Sequence, residues 1–211
     1  MLAFLSTETG LDPSSDPAKV EPRAMHPTRQ RLVLVATRLF QQRGLHAVGL
    51  NEILALAEAP KGSLYHHFPG GKQELAEACI ARIASATFAA IDAAQASGID
   101  ITRFLQQLSA DTGKWLEDTS WCDGSLLAVI GQEEGGQDSA VGDAVRIAYQ
   151  RIEMRLAKWL IVEGVAVTRA RDIAATIIAA HEGALVLARS RRDAAPLKLV
   201  ADMLSELIER G

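Results

Sequence analysis

The sequence predicts an all-α fold of about nine helices, and three observations support this prediction. The chain has 211 residues, of which 48% are hydrophobic, so it is long enough to bury a core of ordinary size. Alanine and leucine are frequent in the apolar stretches and only 5% of the residues are aromatic, which favours helix over strand. Apolar residues recur at spacings of three and four, and no alternating pattern is long enough to indicate a sheet.

Three helices are predicted between residues 28 and 72. The first begins at Thr28, which can cap it, and ends at Gly44, which can adopt the left-handed conformation that stops a helix. A tight turn at Glu58 then separates two short helices. These short helices cover about residues 50–57 and 60–66. Three helices with a tight turn between the last two describe a helix-turn-helix.

Longer helices are predicted after this segment, and the glycine-rich stretch 131–142 is the most loop-like part among them. They cover about residues 72–95, 101–118, 124–132, 139–163, 169–190 and 195–209. Four prolines among polar residues predict a flexible tail at the start of the chain. The predicted organisation is therefore a tail (1–27), a helix-turn-helix domain (28–72) and a helical body (73–211).

The formal net charge of −4 hides an uneven distribution along the chain. Residues 23–72 carry +5, whereas residues 1–22 carry −3 and residues 73–211 carry −6. A basic segment on an acidic body is expected when one domain meets phosphate groups and the other does not. The total charge argues against a nucleic-acid partner, but its distribution favours one.

The second short helix has an unusually polar face for its length. Leu64 and Phe68 are expected to pack inward, because a helix of seven residues is not stable alone in water. The remaining face suits a helix that reads a DNA groove, although an ordinary solvated helical hairpin fits the periodicity equally well. The candidate DNA-binding residues are Arg29, Gly49, Lys61, Gly62, Ser63, Tyr65, His66 and Lys72.

An ordered set of residues within 28–75 is specific enough to indicate a family. It comprises Ala36, Leu39, Phe40, Gly44, Ile53, Ala57, the run Pro60 to Phe68, Lys72 and Leu75. This set resembles the DNA-binding domain of the TetR family of transcriptional repressors. Residues 59–72 and 182–197 are similar to the subgroup that contains LmrA- and YxaF-type regulators.

Two residues depart from the pattern of that family. Glu58 stands at the turn, where the family usually has glycine, and Gly49 stands at a cap position that usually holds serine or threonine. If position 58 needs a positive φ, glutamate there costs about 1 kcal/mol. It also places a negative charge near the DNA phosphates, while Gly49 provides no side chain to contact one. Both departures predict weaker DNA binding in an intact fold.

The resemblance implies that the last two helices pair with those of a second copy, so that the protein is a homodimer. Two apolar stripes agree with this interface, although an internal core face fits their spacing equally well. The expected interface residues are Ile177, Ala184, Leu187, Leu197, Val200, Leu204 and Ile208. A two-fold dimer would present its reading helices to half-sites about one turn of DNA apart, which is a palindromic operator.

The resemblance also implies a cavity within helices four to eight that binds a small hydrophobic effector. Such cavities are apolar and contain few polar anchors. Candidate wall residues are Phe88, Phe104, Trp115, Trp121, Tyr149, Met154 and His181. Ordinary core packing remains the simpler interpretation of each one, and His181 is the most interesting polar anchor.

The chain contains no sequence motif of a known catalytic or metal centre. It has no nucleophile elbow, zinc-protease helix, phosphate-binding loop or dinucleotide fingerprint. His66 and His67 are adjacent and therefore point to different faces of their helix, and the two cysteines are too few for a disulfide framework. We expect no catalysis, no metal and no cofactor.

The predicted function is that of a ligand-responsive repressor that binds double-stranded DNA as a homodimer. We expect it in the cytoplasm and away from membranes, because no apolar run reaches the length of a membrane span, about 18 residues. The alternative is a helical interaction protein or sensor that has lost DNA binding, which Glu58 and Gly49 make conceivable.

Overall fold

The computed structural model describes residues 28–209, and within this range it contains nine α-helices and no strand. The predicted tail, residues 1–27, lies outside the described residues. The helices are α1 (Thr28–Arg43), α2 (Leu50–Leu56), α3 (Lys61–His67), α4 (Gly71–Ala96), α5 (Ile101–Asp118), α6 (Leu126–Glu134), α7 (Ala140–Val162), α8 (Val167–Arg191) and α9 (Ala195–Glu209). The predicted fold class is confirmed, and most helix ends lie within two residues of their predicted positions.

Helices α1 to α3 form a small unit that we call the head (residues 28–72). Leu64 on α3 and Phe68 directly after it are fully buried together with Phe40 of α1 and Ile53 of α2. Gly44 ends α1 with a φ of 84°, as its position predicts. The packing of α3 on the longer helices stabilises a helix too short to persist alone.

Helix α4 connects the head to the remaining helices, which we call the body (residues 73–209). Near its start, Leu75 and Ala76 are fully buried in the core that α4 shares with α1. Further along, Ile83 and Ile91 are buried in the body. One continuous helix of 26 residues therefore belongs to both parts of the molecule.

A second apolar cluster lies where α5 meets α8 and α9. Trp115 and Leu116 of α5 pack there with Leu185 of α8 and Leu197 of α9. Gly113 lets α5 approach the start of α9 closely. A Cβ at this position would lie 2.9 Å from the Cβ of Ala194, the residue directly before α9.

The loop predicted between Gly131 and Gly142 is shorter than expected. Helix α6 continues through Gly131 as far as Glu134, and α7 begins at Ala140. The buried Glu134 carboxylate accepts a hydrogen bond of 2.6 Å from Ser139 Oγ, which closes the loop between the two helices. The glycine content of the stretch gives no sign of this hydrogen bond between residues five apart.

Helix α8 has the length and composition of a membrane span, with a mean hydropathy of 1.3 over its most apolar window. Its apolar residues Ile173, Ile177 and Leu185 are buried against other helices of the protein. Core helices commonly combine these properties, so this single helix is weak support for a membrane span.

Candidate DNA-binding surface and ligand cavity

The exposed side of α3 presents the residues that the sequence singles out for DNA contact. Lys61, Gly62, Tyr65 and His66 are all exposed, and 62% of Tyr65 is accessible to solvent. This exposure follows from the burial of Leu64 on the opposite side of the helix. A Cβ at Gly62 would meet no atom within 4 Å, so the surface is open at this point.

The hydroxyl group of Ser63 is already used within the protein. Ser63 Oγ donates a hydrogen bond of 2.6 Å to the carbonyl oxygen of Pro60, at the first turn of α3. The hydroxyl hydrogen of Ser63 is therefore not free to contact DNA in this arrangement. In this arrangement the Ser63 oxygen can accept a hydrogen bond, for example from a base amino group.

The other predicted contact residues flank α3 on neighbouring elements. The Arg29 guanidinium lies 5.0 Å from the centre of the Phe68 ring, which places a positive charge near the end of α3. Lys72 Nζ donates a hydrogen bond of 3.4 Å to the carbonyl oxygen of His46 in the loop after α1. Burial lowers the pKa of Lys72, and the nearby Glu133 charge opposes this effect. Gly49 is the N-cap of α2 and is exposed.

The turn between α2 and α3 has the strained residue that the sequence suggests. Glu58 has a φ of 49°, in the left-handed region. The amide groups of Glu58 and Ala59 donate hydrogen bonds to the carbonyl oxygens of Ala55 and Leu54 at 3.1 and 2.9 Å. These two bonds form a Schellman C-cap, whose left-handed position normally holds glycine. The exposed Glu58 carboxylate therefore sits on a strained backbone close to α3.

The body encloses a small cavity of about 60 Å³ between α4, α5, α7 and α8 and the start of α6. Three of the predicted wall residues, Phe104, Tyr149 and His181, line it. Most of the other lining residues are aliphatic. They are Ile83, Ile91, Leu105, Leu108, Leu127, Ile152, Leu156, Ile177, Ile178 and Leu185.

Four predicted wall residues lie outside the cavity lining. Trp115 and Trp121 belong to the apolar cluster between α5, α8 and α9. Phe88 is buried, but its ring is covered by the guanidinium of Arg155 at 4.1 Å. Met154 is 65% exposed on α7. The type of a side chain does not place it in the cavity, because the direction in which it points decides whether it lines the wall.

The predicted dimer residues also need correction, because five of the seven are buried within the single chain. Ile177 lines the cavity, and the other four pack in the monomer core. Those four are Ala184, Leu197, Leu204 and Ile208. Val200 is partly buried, and Leu187 alone is exposed, at 47%. The periodic stripes mark the faces of α8 and α9 that pack against their own chain.

Different apolar residues are exposed on the outer faces of these two helices. Leu199 and Met203 of α9 are 62% and 57% exposed, and Val186 of α8 and Leu207 of α9 are also exposed. Several neighbouring apolar side chains open to solvent are typical of a protein interface. Sequence spacing could not separate this outer face from the inner one.

A polar cluster that the sequence did not reveal lies at the cavity wall. Glu182 Oε1 accepts hydrogen bonds from Ser125 Oγ at 2.9 Å and from the Tyr149 hydroxyl at 3.1 Å. Burial raises the pKa of Glu182, and these two hydrogen bonds oppose the increase. Burial and the adjacent carboxylate raise the pKa of Tyr149, so its hydroxyl remains a donor.

His181 lies beside this cluster and also lines the cavity. Burial lowers its pKa to about 4, so the imidazole is neutral near physiological pH. The polar part of the wall therefore contains one carboxylate and no positive charge. Among residues 28–209, no group of His, Cys, Asp and Glu side chains is arranged to hold a metal ion.

The segment before α6 is hydrogen-bonded to the end of α1. The Gly124 amide donates to the carbonyl oxygen of Gln41 at 3.1 Å, and Gln42 Nε2 donates to Asp123 Oδ1 at 2.8 Å. Arg189 of α8 donates hydrogen bonds to the carbonyl oxygens of Trp121 and Cys122, the two residues before Asp123. The next residue in the chain, Ser125, caps α6 and contacts the cavity.

The other end of α6 also contacts the head. Glu133 Oε2 accepts a hydrogen bond from the Leu45 amide, and Glu134 Oε1 pairs with His46 Nε2 at 3.2 Å. A Cβ at Gly44 would displace the Glu133 carboxylate, and the φ of 84° at this position also favours glycine. Both ends of α6 are therefore attached to the head.

Three helices that pack around a shared core, with an exposed and polar face on the third helix, are typical of a helix-turn-helix DNA-binding protein. The model for bacterial regulatory proteins of the tetR family matches residues 32–79. The model for the C-terminal domain of LmrA/YxaF-like transcriptional regulators matches residues 102–203. The chain belongs to the TetR family of transcriptional regulators, in its LmrA/YxaF-like group. Members of this family are regulators and not enzymes, bind DNA and act as dimers.

Relatives of similar length support this assignment. The uncharacterized HTH-type transcriptional regulator Rv0196 of Mycobacterium tuberculosis is 31% identical over 189 residues, which cover 87% of this chain and 95% of the relative. The HTH-type transcriptional regulator LmrA of Bacillus subtilis is 29% identical over 191 residues, covering 87% of this chain and 97% of LmrA. The match therefore extends through both the head and the body.

Solved structures share the fold. A TetR transcriptional regulator from Legionella pneumophila has a TM-score of 0.76 at 21% identity, over 88% of this chain and 99% of that one. The reduced form of Escherichia coli NemR has a TM-score of 0.72 at 22% identity, over 86% of this chain and 96% of that one.

Proposed function

We propose that this protein is a repressor that binds a palindromic operator as a homodimer and releases it when a small hydrophobic molecule enters the body. The observation that carries the proposal is the course of α4. Lys72 at its first turn contacts the loop after α1, and Ile83, Thr87 and Ile91 line the cavity further along the same helix. A change in the cavity therefore acts on a helix that also supports the head.

The DNA-binding role rests on the exposed side of α3. Lys61 and Ser63 lie in its first turn, where a groove-reading helix approaches base edges. We assign base contacts to these two residues, with Gly62 allowing close approach of the backbone. Tyr65, His66, Arg29 and Lys72 are assigned to phosphates, and Gly49 to a main-chain phosphate contact.

The homodimer rests on the exposed apolar faces of α8 and α9. Leu199 and Met203 on α9, together with Leu187 on α8, are the central residues of the proposed interface. Burying these side chains against a second copy would remove apolar surface from water. A two-fold arrangement places two α3 helices on successive turns of DNA and accounts for a palindromic operator.

The release step rests on the size of the cavity and on its walls. A volume of about 60 Å³ is small compared with typical ligand sites, which span roughly 300–1,000 Å³. An effector of ordinary size must therefore move a wall, and α4 and the start of α6 are the walls that also contact the head. The effector shifts the equilibrium only if it binds the released form more tightly than the DNA-bound form.

The proposed activity consists of binding alone, with no catalysis, metal or cofactor, and takes place in the cytoplasm where bacterial DNA lies. Its test is binding of the purified protein to its own promoter region, measured by fluorescence anisotropy over a series of salt concentrations. Phosphate contacts predict a steep fall in affinity with salt, and a palindromic operator predicts a large loss when one half-site is scrambled. No binding at low salt, or a flat salt response, would favour the helical interaction protein instead.

A further inference from the structure

The Glu182 side chain at the cavity wall has one oxygen with two hydrogen bonds and one with none. Oε1 accepts from Ser125 Oγ and from the Tyr149 hydroxyl. Oε2 is buried and has no hydrogen-bond partner among the described residues. A buried carboxylate oxygen without a donor is costly, and native proteins rarely keep one unless it has a role.

The remaining polar groups of the lining form no hydrogen bond to this oxygen and carry no positive charge. The hydroxyl hydrogens of Ser125 and Tyr149 are both donated to Oε1. His181 is neutral near physiological pH, because burial lowers its pKa to about 4. The other lining residues are aliphatic or aromatic, apart from the neutral Thr87. The lining therefore contains one carboxylate oxygen without a donor and no cationic side chain.

These observations determine the charge that the cavity accepts. An anionic ligand would lie beside the Glu182 carboxylate with no compensating positive group, which is unfavourable in a low-dielectric site. A neutral apolar ligand would leave Oε2 without a partner. A protonated amine supplies both a hydrogen-bond donor and the opposite charge, and charge-assisted hydrogen bonds of this kind are the strongest available.

We infer that the effector is a hydrophobic amine whose ammonium group donates a hydrogen bond to Glu182 Oε2 while its apolar part occupies the aliphatic part of the cavity. This inference rests on the proposed ligand response and specifies the chemistry of the same site. Ser125 and Tyr149 act as positioning residues, because they hold Oε1 and so orient the carboxylate.

The test uses three probes that differ only in their polar end: 2-phenylethylamine, 2-phenylethanol and phenylacetate. Binding to the full-length protein near neutral pH is measured by isothermal titration calorimetry. We expect the amine to bind at least about tenfold more tightly than the alcohol and phenylacetate to bind most weakly. Equal affinity of alcohol and amine would show that a neutral donor suffices and would overturn the inference, as would tighter binding of phenylacetate or no binding of the amine.

Two variants attribute the preference to one side chain. Glu182→Gln keeps an acceptor for Ser125 and Tyr149 but removes the charge, so it should reduce the preference for the amine to less than about threefold. Glu153→Gln removes a carboxylate of the same type from α7 outside the cavity lining, and should leave the preference unchanged. Persistence of the full preference in a folded Glu182→Gln protein, with folding checked by circular dichroism, would contradict the inference.

Operator release is measured separately, by fluorescence anisotropy with the same three probes. Amine binding through Glu182 without release of DNA would support the inference about the ligand and contradict the ligand response. Release by a neutral or anionic hydrophobic compound, combined with no Glu182-dependent amine binding, would support the ligand response and overturn the inference. The two proposals therefore fail in different experiments.

Discussion

The surface of the head and the cavity of the body differ in how far their polar groups are exposed to solvent. On α3 most of the candidate contact residues are exposed, and the surface is open around Gly62, so DNA can approach without a change in packing. In the body the polar groups of the cavity are buried, and the space of about 60 Å³ is smaller than a typical ligand. The exposed surface suits fast, salt-dependent binding, whereas the proposed effector could enter so small a cavity only if its walls moved.

The largest expected effect comes from a variant that tests whether the head binds DNA only as part of a dimer. Leu199→Glu places a charge on the exposed apolar face of α9, where pairing would bury it. We expect a monomer in analytical ultracentrifugation and a loss of operator affinity of about 100-fold or more. Met154→Glu is the matched control, because Met154 is equally exposed but lies on α7. Unchanged dimerisation of Leu199→Glu would show that this face is not the interface.

The next prediction separates two kinds of contact within the head. Lys61→Ala removes a proposed base contact and should cost about 1–3 kcal/mol of binding, with altered preference among operator sequences. Lys72→Ala should weaken binding to all sequences alike and reduce the salt slope by about one. Its effect should be smaller, since Lys72 is also hydrogen-bonded to the carbonyl oxygen of His46. Competition binding with mutated operators checks both expectations, and identical behaviour of the two variants would refute the assignment.

A third prediction concerns the strained turn that supports α3. Glu58→Gly relieves a left-handed residue and should raise the free energy of unfolding by about 1 kcal/mol, as urea denaturation would show. Glu58→Gln removes the negative charge and keeps the strain. Both variants should increase operator affinity at low salt, but only Glu58→Gly should increase stability. A gain in stability for Glu58→Gln as well would point to charge as the cause.

The smallest predicted effect tests the buried carboxylate of the body through its pKa. An acid whose pKa is raised in the folded state binds its proton there first, so the free energy of unfolding rises as pH falls through the raised pKa. The rise ends below the ordinary carboxyl pKa of about 4.3. Glu182→Gln should lack this contribution. The free energy of unfolding of the wild type, relative to that of the variant, should therefore increase as the pH falls through that range. A constant difference would mean that Glu182 is not desolvated.

Much of the head could be predicted from the sequence because its determinants are local. The stop at Gly44 and the positive φ at Glu58 depend on a few neighbouring residues. The burial of Leu64 and Phe68 follows from the short length of α3. Short-range rules therefore describe this part of the molecule well.

The body was predicted less well because its determinants are not local. Helical periodicity shows which residues of α9 share a face, but it does not show whether that face meets its own chain or a second copy. Leu197 and Leu204 turned out to be internal, and Leu199 and Met203 external. The partners of Glu182 lie 57 and 33 residues away in sequence, so no local signal could reveal the polar cluster.

The attachment of α6 to the head uses main-chain atoms of α1 and of the loop after it, together with the side chains of Gln42 and His46. Glu133 accepts from the Leu45 amide, and the Gly124 amide donates to the carbonyl oxygen of Gln41. None of these groups lies on α3, so side chains on α3 can change without disturbing these links. A change of DNA-reading side chains on α3 is therefore compatible with an unchanged contact between the head and the body.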